Sequence, residues 1–418
     1  MSKFIIQGPA KFAGEISVLG AKNAAMKMIA ASILTKEEIV LKNVPNISDI
    51  DTIIKILEKN GTKFERQDHT LKINTTDLSS ESPDYKLVEK MRGSIVLIGP
   101  YLARFGRISL PKPGGCSIGS RPIDIHLDAF KEMGAETSFA EHIFDINCPQ
   151  LIGASINLRF ASVTATENII MAAILAKGTT IIENAAREPE IVDLANFLNS
   201  LGAKIKNAGS NTIEIEGVDR LHGGEYSVMP DRIEAGTFAA LAVTANSPLK
   251  ITNCRPSDIE AFLETLEKMG VQLERGKDFL YIKDSSNLKP IDIETEVFPG
   301  FPTDLQAPMG LVLTQANGQS RITENIFENR LSYLEELKKM GAKTEIINCH
   351  EAIINGPTKL HGAAIDSLDL RAGATLLLAG LVAEGETTIS KAEIVDRGYE
   401  NIEGRLKELG INIERIED

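Results

Sequence analysis

Runs of small apolar residues alternate along this chain with runs that are only half apolar, and both kinds recur. The half-apolar runs end in LEKNGTKF, FKEMGAET, LNSLGAKI, LEKMGVQL, LKKMGAKT and LKELGINI, where an apolar residue, two mostly polar ones and one further residue precede a glycine. The six glycines, Gly61, Gly134, Gly202, Gly270, Gly341 and Gly410, are separated by 73, 68, 68, 71 and 69 residues. A glycine there suits the left-handed residue just past a helix, because the missing Cβ removes the steric penalty of that conformation. The pattern predicts six helix ends, each followed by a strand such as AKIK or VQLE.

Upstream of these ends lie MIAASILTKEEIVLKNV, IIMAAILAKGTTIIENA, FAALAVTANSPLKITNC and LLLAGLVAEGETTISKA, each a small-residue helix, a turn and a β-rich run. The same unit reads through the chain six times, as two helices and several short strands over about 70 residues. Alternating helix and strand signals predict an α/β fold, and two sets of three units predict two similar domains. Helices so rich in alanine are expected to pack closely inside, with the sheets outside.

Aligned unit by unit, the loop entering the small-residue helix carries GAKN (Lys22, Asn23), KMRGS (Arg92), ASVTATEN (Ser162 onward), PDRIEAG (Asp231, Arg232), FPTDLQ (Asp304) and LDLRAG (Asp369, Arg371). A second set, after the next strand, carries KNVPN, PKPGGCSIGSRP, NAAREPE, NCRPSD, NIFENR and KAEIVDRG. Equivalent loops of a repeat lie at the same end of every unit, so both sets are candidates to line one cleft.

Composition narrows what such a cleft holds. At 418 residues the chain exceeds what one core supports, so at least two domains are expected. Its longest near-continuous apolar run, ATLLLAGLVA, is well short of the ~18–20 residues that span a bilayer. No hydrophobic stretch with a small-residue cleavage site opens the chain, so a cytoplasmic location is expected. A net charge of -13 disfavours nucleic acid and acidic membranes, leaving anionic ligands to local clusters of lysine and arginine. The four cysteines form no CxxC pair and the six histidines lack helical metal-site spacing, so no metal is expected.

In PGGCSIGSRP, Cys116 sits among glycines and serines rather than apolar neighbours. A thiolate there is stabilised by Arg121 and by the start of the helix expected in RPIDIHLDAF, although local sequence leaves an idle surface thiol equally open. Lys22, Arg92, Arg121 and Arg397 are four cations suited to a ligand with phosphate and carboxylate groups, and Asp304 is a candidate general base. GGCSIGSR lacks the lysine of a nucleotide-binding phosphate loop, which argues against an NTPase.

LGAKNAAMK, PGGCSIGSRPIDIH, FPTDLQ, IFENR and VDRGYENIE, in this order along the whole chain, resemble the UDP-N-acetylglucosamine enolpyruvyl transferases of peptidoglycan synthesis. The resemblance implies two inside-out α/β domains of three units each. One covers residues 21–229 and carries the cysteine loop; the other, from 1–20 and 230–418, carries the general base, with the active site in the cleft between. It implies transfer of the enolpyruvyl group of phosphoenolpyruvate to the 3′-hydroxyl of UDP-N-acetylglucosamine, by addition and then elimination of phosphate, as the first committed step of the pathway. Cys116, by this resemblance, protonates the methylene carbon, can trap the enolpyruvyl group, and is the target of fosfomycin. Asp304 takes the hydroxyl proton. Lys22, Arg121 and Arg397 hold the phosphate and carboxylate of phosphoenolpyruvate, with Asn23 nearby, and Arg92 supports the sugar nucleotide. Arg121, Pro122, Ile123, Asp124, Ile125, Ser162, Val163, Asp304 and Ile326 contact UDP-N-acetylglucosamine. No cofactor is implied, the partners are these two small molecules without nucleic acid or membrane, and a monomer is expected.

Two positions depart from the family pattern. Thr164 stands where many relatives place glycine beside the diphosphate, and LPKPGGC carries an additional Lys-Pro before the cysteine loop. The shikimate-phosphate enolpyruvyl transferases share fold and donor but lack that loop. A catalytically silent sugar-nucleotide-binding relative is the other alternative, and it has no need of Cys116, Asp304 and Arg397 together.

Overall fold

The computed structural model describes residues 2–111, 114, 118–119 and 123–417. All six repeat glycines adopt positive φ, between 83° and 102°. Each lies one or two residues past the end of a helix and is followed by a strand: Lys63–Gln67, Glu136–Ala140, Lys204–Lys206, Gln272–Arg275, Lys343–Asn348 and Ile413–Glu417. The preceding helices are amphipathic. Glu260–Met269, for instance, buries Phe262, Leu263, Leu266 and Met269, the three-and-four spacing that places one stripe against a core.

The small-residue helices behave differently. Arg232–Thr244 and Gln306–Leu313 bury every residue, and Leu370–Val382 all but its last. Lys22–Ala31 and Val163–Ala173 expose only their first turns. Alanine and glycine make such burial feasible by letting helices approach closely. A Cβ on Gly99, in the Ile98–Phe105 helix, would lie 2.2 Å from the Asn168 carbonyl oxygen of the Val163–Ala173 helix.

Around these helices lie the sheets, and the third repeat shows their plan. Ser155–Asn157 runs parallel to Thr179–Glu183, which pairs antiparallel with Thr212–Glu216, itself the partner of Lys204–Lys206. Register places Ile156, Ile182 and Ile213 side by side, all buried, while their neighbours in sequence point outward. One apolar face per sheet therefore covers the inner helices.

Three sheets borrow a strand from a remote part of the chain. Gly224–Ser227 supplies the parallel edge beside Ile39–Lys42, and Gly14–Ser17 does so beside Leu249–Thr252. Ser2–Gly8 inserts between Gly385–Ser390 and Ile413–Glu417, the place a local hairpin strand takes elsewhere. The second repeat has three strands among the described residues, ordered Arg107–Pro111, Ile143–Asn147, Glu136–Ala140. By contacts the described chain divides into two compact units. One holds residues 2–19, 118–119 and 230–417, the other residues 20–111, 114 and 123–229. Each has its own large apolar core.

Candidate active site

In the unit of residues 20–229, the entrances of the three inner helices gather polar side chains. Lys22 opens the Lys22–Ala31 helix, held in place where Ala21 N donates to Met229 O at 2.7 Å. Its Nζ lies 2.7 Å from the Asp49 carboxylate, which heads the Ser48–Lys59 helix. Asn23 is half-buried beside it. One turn deeper, Lys27 Nζ stands 3.3 Å from the carboxylate of Glu167, fully buried on the Val163–Ala173 helix. Burial pushes Glu167 up to about 7, against the pull of Lys27.

Arg92 begins the turn Arg92–Leu97, and that turn is locked to the third helix through Asn168. Asn168 Nδ2 donates to Ile95 O at 2.9 Å, and its Oδ1 accepts from Gly99 N at 2.8 Å. Nδ2 also meets His126 Nδ1 at 3.2 Å, which ties in the Asp124–Glu132 helix. Ser162 caps the Val163–Ala173 helix by accepting from Ala165 N at 3.4 Å. Ile123 is buried, Val163 and Ile125 are partly exposed, and Asp124 is exposed and paired with Arg159.

In the unit of residues 230–417 the corresponding entrances carry an ionised network. Asp231 and Asp369 cap their helices, each accepting two backbone N–H groups. Asp304 lies in the short turn Thr303–Leu305 that leads into Gln306–Leu313. Arg330 Nη2 hydrogen-bonds to its Oδ1, and Arg371 Nη2 approaches Oδ2 at 3.4 Å. Both arginine side chains are about 5 % exposed, against 29 % for Asp304. Burial alone would raise Asp304, but Arg371, Arg330 and Arg232 together hold it far below the usual carboxylate range.

Arg371 is positioned in turn, since its Nη1 donates to Tyr399 Oη at 3.1 Å and that hydroxyl lies 2.9 Å from Thr237 Oγ1. Buried Glu324 accepts from Thr303 Oγ1, Thr295 Oγ1 and Ile326 N at 2.9, 3.0 and 2.9 Å. It thereby fixes Ile326 and the turn of Asp304 in one arrangement. Arg397 ends the turn Ala392–Arg397, two residues before Tyr399, and is half-buried.

Lys22, Asn23, Arg92, Ile123 to Ile125, Ser162 and Val163 thus lie at or beside element starts in one unit, and Asp304, Ile326 and Arg397 belong to the other. Cys116, Arg121 and Pro122 lie outside the described residues. Sequence reasoning assigned no role to His126, Asn168, Glu324, Arg330, Arg371 or Tyr399. Arg371 and Arg330 stood in the aligned loops LDLRAG and NIFENR, so the repeat itself carried a signal for them. Asn168 closes the aligned loop ASVTATEN and His126 closes PGGCSIGSRPIDIH, but neither stretch reveals their bonds, because their partners come from other helices.

Comparison with known proteins places this geometry. The family model of EPSP synthase (3-phosphoshikimate 1-carboxyvinyltransferase) matches residues 6–406. The UDP-N-acetylglucosamine 1-carboxyvinyltransferase of Psychrobacter sp. (strain PRwf-1) is 45 % identical over 419 aligned positions, covering 100 % of this chain and 97 % of its own. That of Proteus mirabilis (strain HI4320) is 45 % identical, covering 100 % and 99 %. Among solved structures, the enolpyruvyl transferase NikO from Streptomyces tendae superposes with a TM-score of 0.90 at 24 % identity, over 99 % of this chain and 98 % of its own. EPSP synthase from Acinetobacter baumannii gives 0.76 at 20 %, over the full length of both.

Proposed function

The chain belongs to the EPSP synthase (3-phosphoshikimate 1-carboxyvinyltransferase) family, and from that premise we infer that it is the member that transfers the enolpyruvyl group of phosphoenolpyruvate to the 3′-hydroxyl of UDP-N-acetylglucosamine, releasing phosphate for peptidoglycan synthesis. The observation that carries this choice of acceptor is the 45 % identity, end to end, with transferases named for UDP-N-acetylglucosamine. PGGCSIGSRP supports it from the sequence side, as the loop that the shikimate enzymes lack.

The reaction is an addition across the enol double bond followed by an elimination that re-forms it. The sugar 3′-oxygen gives up its proton and bonds to C2 of phosphoenolpyruvate while C3 gains a proton; then a C3 proton and the phosphate leave, restoring the C2–C3 double bond in the new vinyl ether. Cys116 is the proposed donor to C3, and Asp304 the acceptor for the hydroxyl proton. Lys22, Arg121 and Arg397 bind the phosphate and carboxylate and offset charge in the tetrahedral intermediate. Asn23 assists there, and Arg92, Ile123, Asp124, Ile125, Ser162, Val163 and Ile326, with Pro122, bind the sugar nucleotide.

With its arginines uncompensated, Asp304 is a weak base. An anionic substrate arriving beside Arg371 and Arg330 cancels part of their field and raises its affinity for a proton. Asp304 therefore becomes a competent acceptor when substrate is present. The reading includes a monomer acting in the cytoplasm, supported by the presence of every assigned residue in one chain. Among the described residues, no helix is long and apolar enough to cross a membrane.

The deciding experiment measures phosphate release from phosphoenolpyruvate with UDP-N-acetylglucosamine and, separately, with shikimate 3-phosphate, each with and without chelator. Release with the sugar nucleotide alone, indifferent to chelator, is expected. Release with shikimate 3-phosphate alone would transfer the chain to the other branch of its family.

A further inference from the structure

Five residues past the repeat glycine, on the strand that follows, the first, fourth and sixth repeats carry an arginine: Arg66, Arg275 and Arg415. Each grips its own repeat. Arg66 donates to Asp51 Oδ1 at 3.0 Å and to Pro45 O at 2.7 Å, and Arg275 pairs with Glu260 and Glu267. Arg415 uses its whole fork. Nη1 and Nη2 donate to the two carboxylate oxygens of Asp396 at 2.8 and 2.6 Å, and Nε and Nη2 to those of Glu403 at 2.7 and 3.2 Å. The guanidinium also lies over the Phe4 ring, 4.7 Å from its centroid. Burial alone would lower Arg415, but the two carboxylates hold it above its ordinary value, so the pairing outweighs the desolvation.

The sixth repeat differs in what the gripped carboxylate adjoins. Asp396 is followed directly by Arg397, and both belong to the turn Ala392–Arg397. That turn is pinned along its length. Ala392 and Val395 are buried in the core, and Glu393 Oε2 accepts from Ser2 N and Ser2 Oγ at 3.1 and 3.0 Å. The fork of Arg415 on Asp396 fixes the end that carries Arg397. Asp396 and Arg397 share one peptide plane, so a backbone rotation that swung Arg397 aside would pull the Asp396 carboxylate out of a bidentate pair, whose geometry tolerates little displacement.

We propose that Arg415 is a positioning residue for phosphoenolpyruvate binding, holding Asp396 so that the turn presents Arg397 in a single direction. This rests on the reading of Arg397 given above. The guanidinium of Arg415 is occupied by Asp396 and Glu403, so it acts through the turn rather than on the substrate. Arg275 supplies the control: it is the same position of the fourth repeat, in the same unit, and its carboxylates adjoin no residue assigned to the site.

Steady-state kinetics in phosphoenolpyruvate, with whichever acceptor the wild-type chain uses, are set beside chemical denaturation for Arg415→Gln, Arg275→Gln, Asp396→Asn and Arg397→Gln. Arg415→Gln and Arg275→Gln should both lower stability. Only Arg415→Gln of these two should raise the KM for phosphoenolpyruvate, by about tenfold, with the affinity for the acceptor unmoved in titration calorimetry. Asp396→Asn should raise that KM too, and the chain carrying both Arg415→Gln and Asp396→Asn should raise it no further, as expected of two residues acting through one contact. A KM in Arg415→Gln equal to that in Arg275→Gln overturns the proposal, and so do additive effects in the double variant. Should Arg415→Gln fail to fold, Asp396→Asn carries the same comparison, and a wild-type KM there overturns the proposal. An unmoved KM in Arg397→Gln overturns the role of Arg397 and the proposal with it, whereas a raised KM in Arg397→Gln beside a control value in Arg415→Gln overturns the proposal alone.

Discussion

Each unit keeps a carboxylate among its inner helices beside cationic side chains, yet the two acids are driven in opposite directions. Glu167 is fully buried and has one lysine ammonium at 3.3 Å; it is pushed up to about 7. Asp304 has a hydrogen-bonded Arg330, Arg371 at 3.4 Å and Arg232 in range; it is held far below its ordinary value. Desolvation raises both, and the Glu167 side chain is the more deeply buried, but burial alone would leave both shifts upward. What separates them is the number of cations and their geometry, because a guanidinium offers directed donors that hydrogen-bond the charged form, and a single ammonium at longer range offsets desolvation only in part. The repeat duplicated the helix entrances and left their charge free to diverge.

The contrast can be broken from the side of Glu167. Its folded pKa lies above the unfolded value of 4.5, so the folded state holds the proton more tightly; this contribution is complete below pH 4.5 and is lost as pH rises towards 7. The loss amounts to roughly 3 kcal/mol, since each tenfold gain in proton affinity is worth about 1.4 kcal/mol. Glu167→Gln should remove that slope in denaturant melts taken between pH 4 and 8, and a slope equal to wild type would contradict the assignment.

Asp304 has the opposite sign. Its stabilising pairing is present above the unfolded value of 3.8 and is lost as pH falls below it. Asp304→Asn should flatten the acid limb and reduce turnover at least about a hundredfold, or about 2.7 kcal/mol in the barrier, with UDP-N-acetylglucosamine affinity kept within about tenfold. Near-normal turnover would take Asp304 out of the proposed chemistry.

Two repeat glycines sharpen the comparison of the units. Both have positive φ, but a Cβ on Gly61 would meet the Asp77 carbonyl oxygen at 2.4 Å, whereas one on Gly410 would meet nothing within 4 Å. Gly410→Ala should cost about 1 kcal/mol for the left-handed backbone, and Gly61→Ala about 1 kcal/mol more. Equal costs in chemical denaturation would mean that the backbone at Gly61 yields freely.

Tyr399→Phe should have the smallest effect. It preserves the ring beneath Arg371 and deletes one hydroxyl shared with Arg371 and Thr237, for a loss of about 1 kcal/mol in stability. A several-fold fall in kcat, with the KM for UDP-N-acetylglucosamine unmoved, would mark it as a residue that positions Arg371. A change in neither stability nor kcat would sink that role.

What could be read in the sequence follows from how local each requirement is. A left-handed residue after a helix is a demand on one position, so Gly61 to Gly410 announced six helix ends. Burial of an entire helix leaves a run of small residues, as in FAALAVTA, and the inside-out arrangement followed from that. Ser2–Gly8 alternates, with Phe4 and Ile6 buried, and so reads as a strand, but nothing in it reveals partners near residues 385 and 413. Lys22, Asp304 and Arg397 were legible through motifs of a known family. His126 and Asn168 also stood in quoted stretches, but their roles did not show there, since they arise where three helices meet and each helix alone shows only an ordinary polar residue.

The borrowed strands also set an order of assembly. Ser2–Gly8 hydrogen-bonds along both edges, and its first residue stands opposite Glu417, so this strand is completed only by one made about 400 residues after it. Closing a loop of about 400 residues costs roughly 5 kcal/mol of chain entropy beyond a constant, by the logarithmic law for flexible chains. Residues 20–229, by contrast, contain all the strands of their own sheets among the described residues. During translation residues 20–229 should therefore fold while Ser2–Gly8 is still unpaired. Pulse-labelled hydrogen exchange during refolding should protect residues 20–229 first, and simultaneous protection of both units would rule this order out. A nascent chain of this kind carries Ser2–Gly8 as an open β-edge until residues 385–417 emerge, so that interval is when its aggregation or capture by a chaperone is decided.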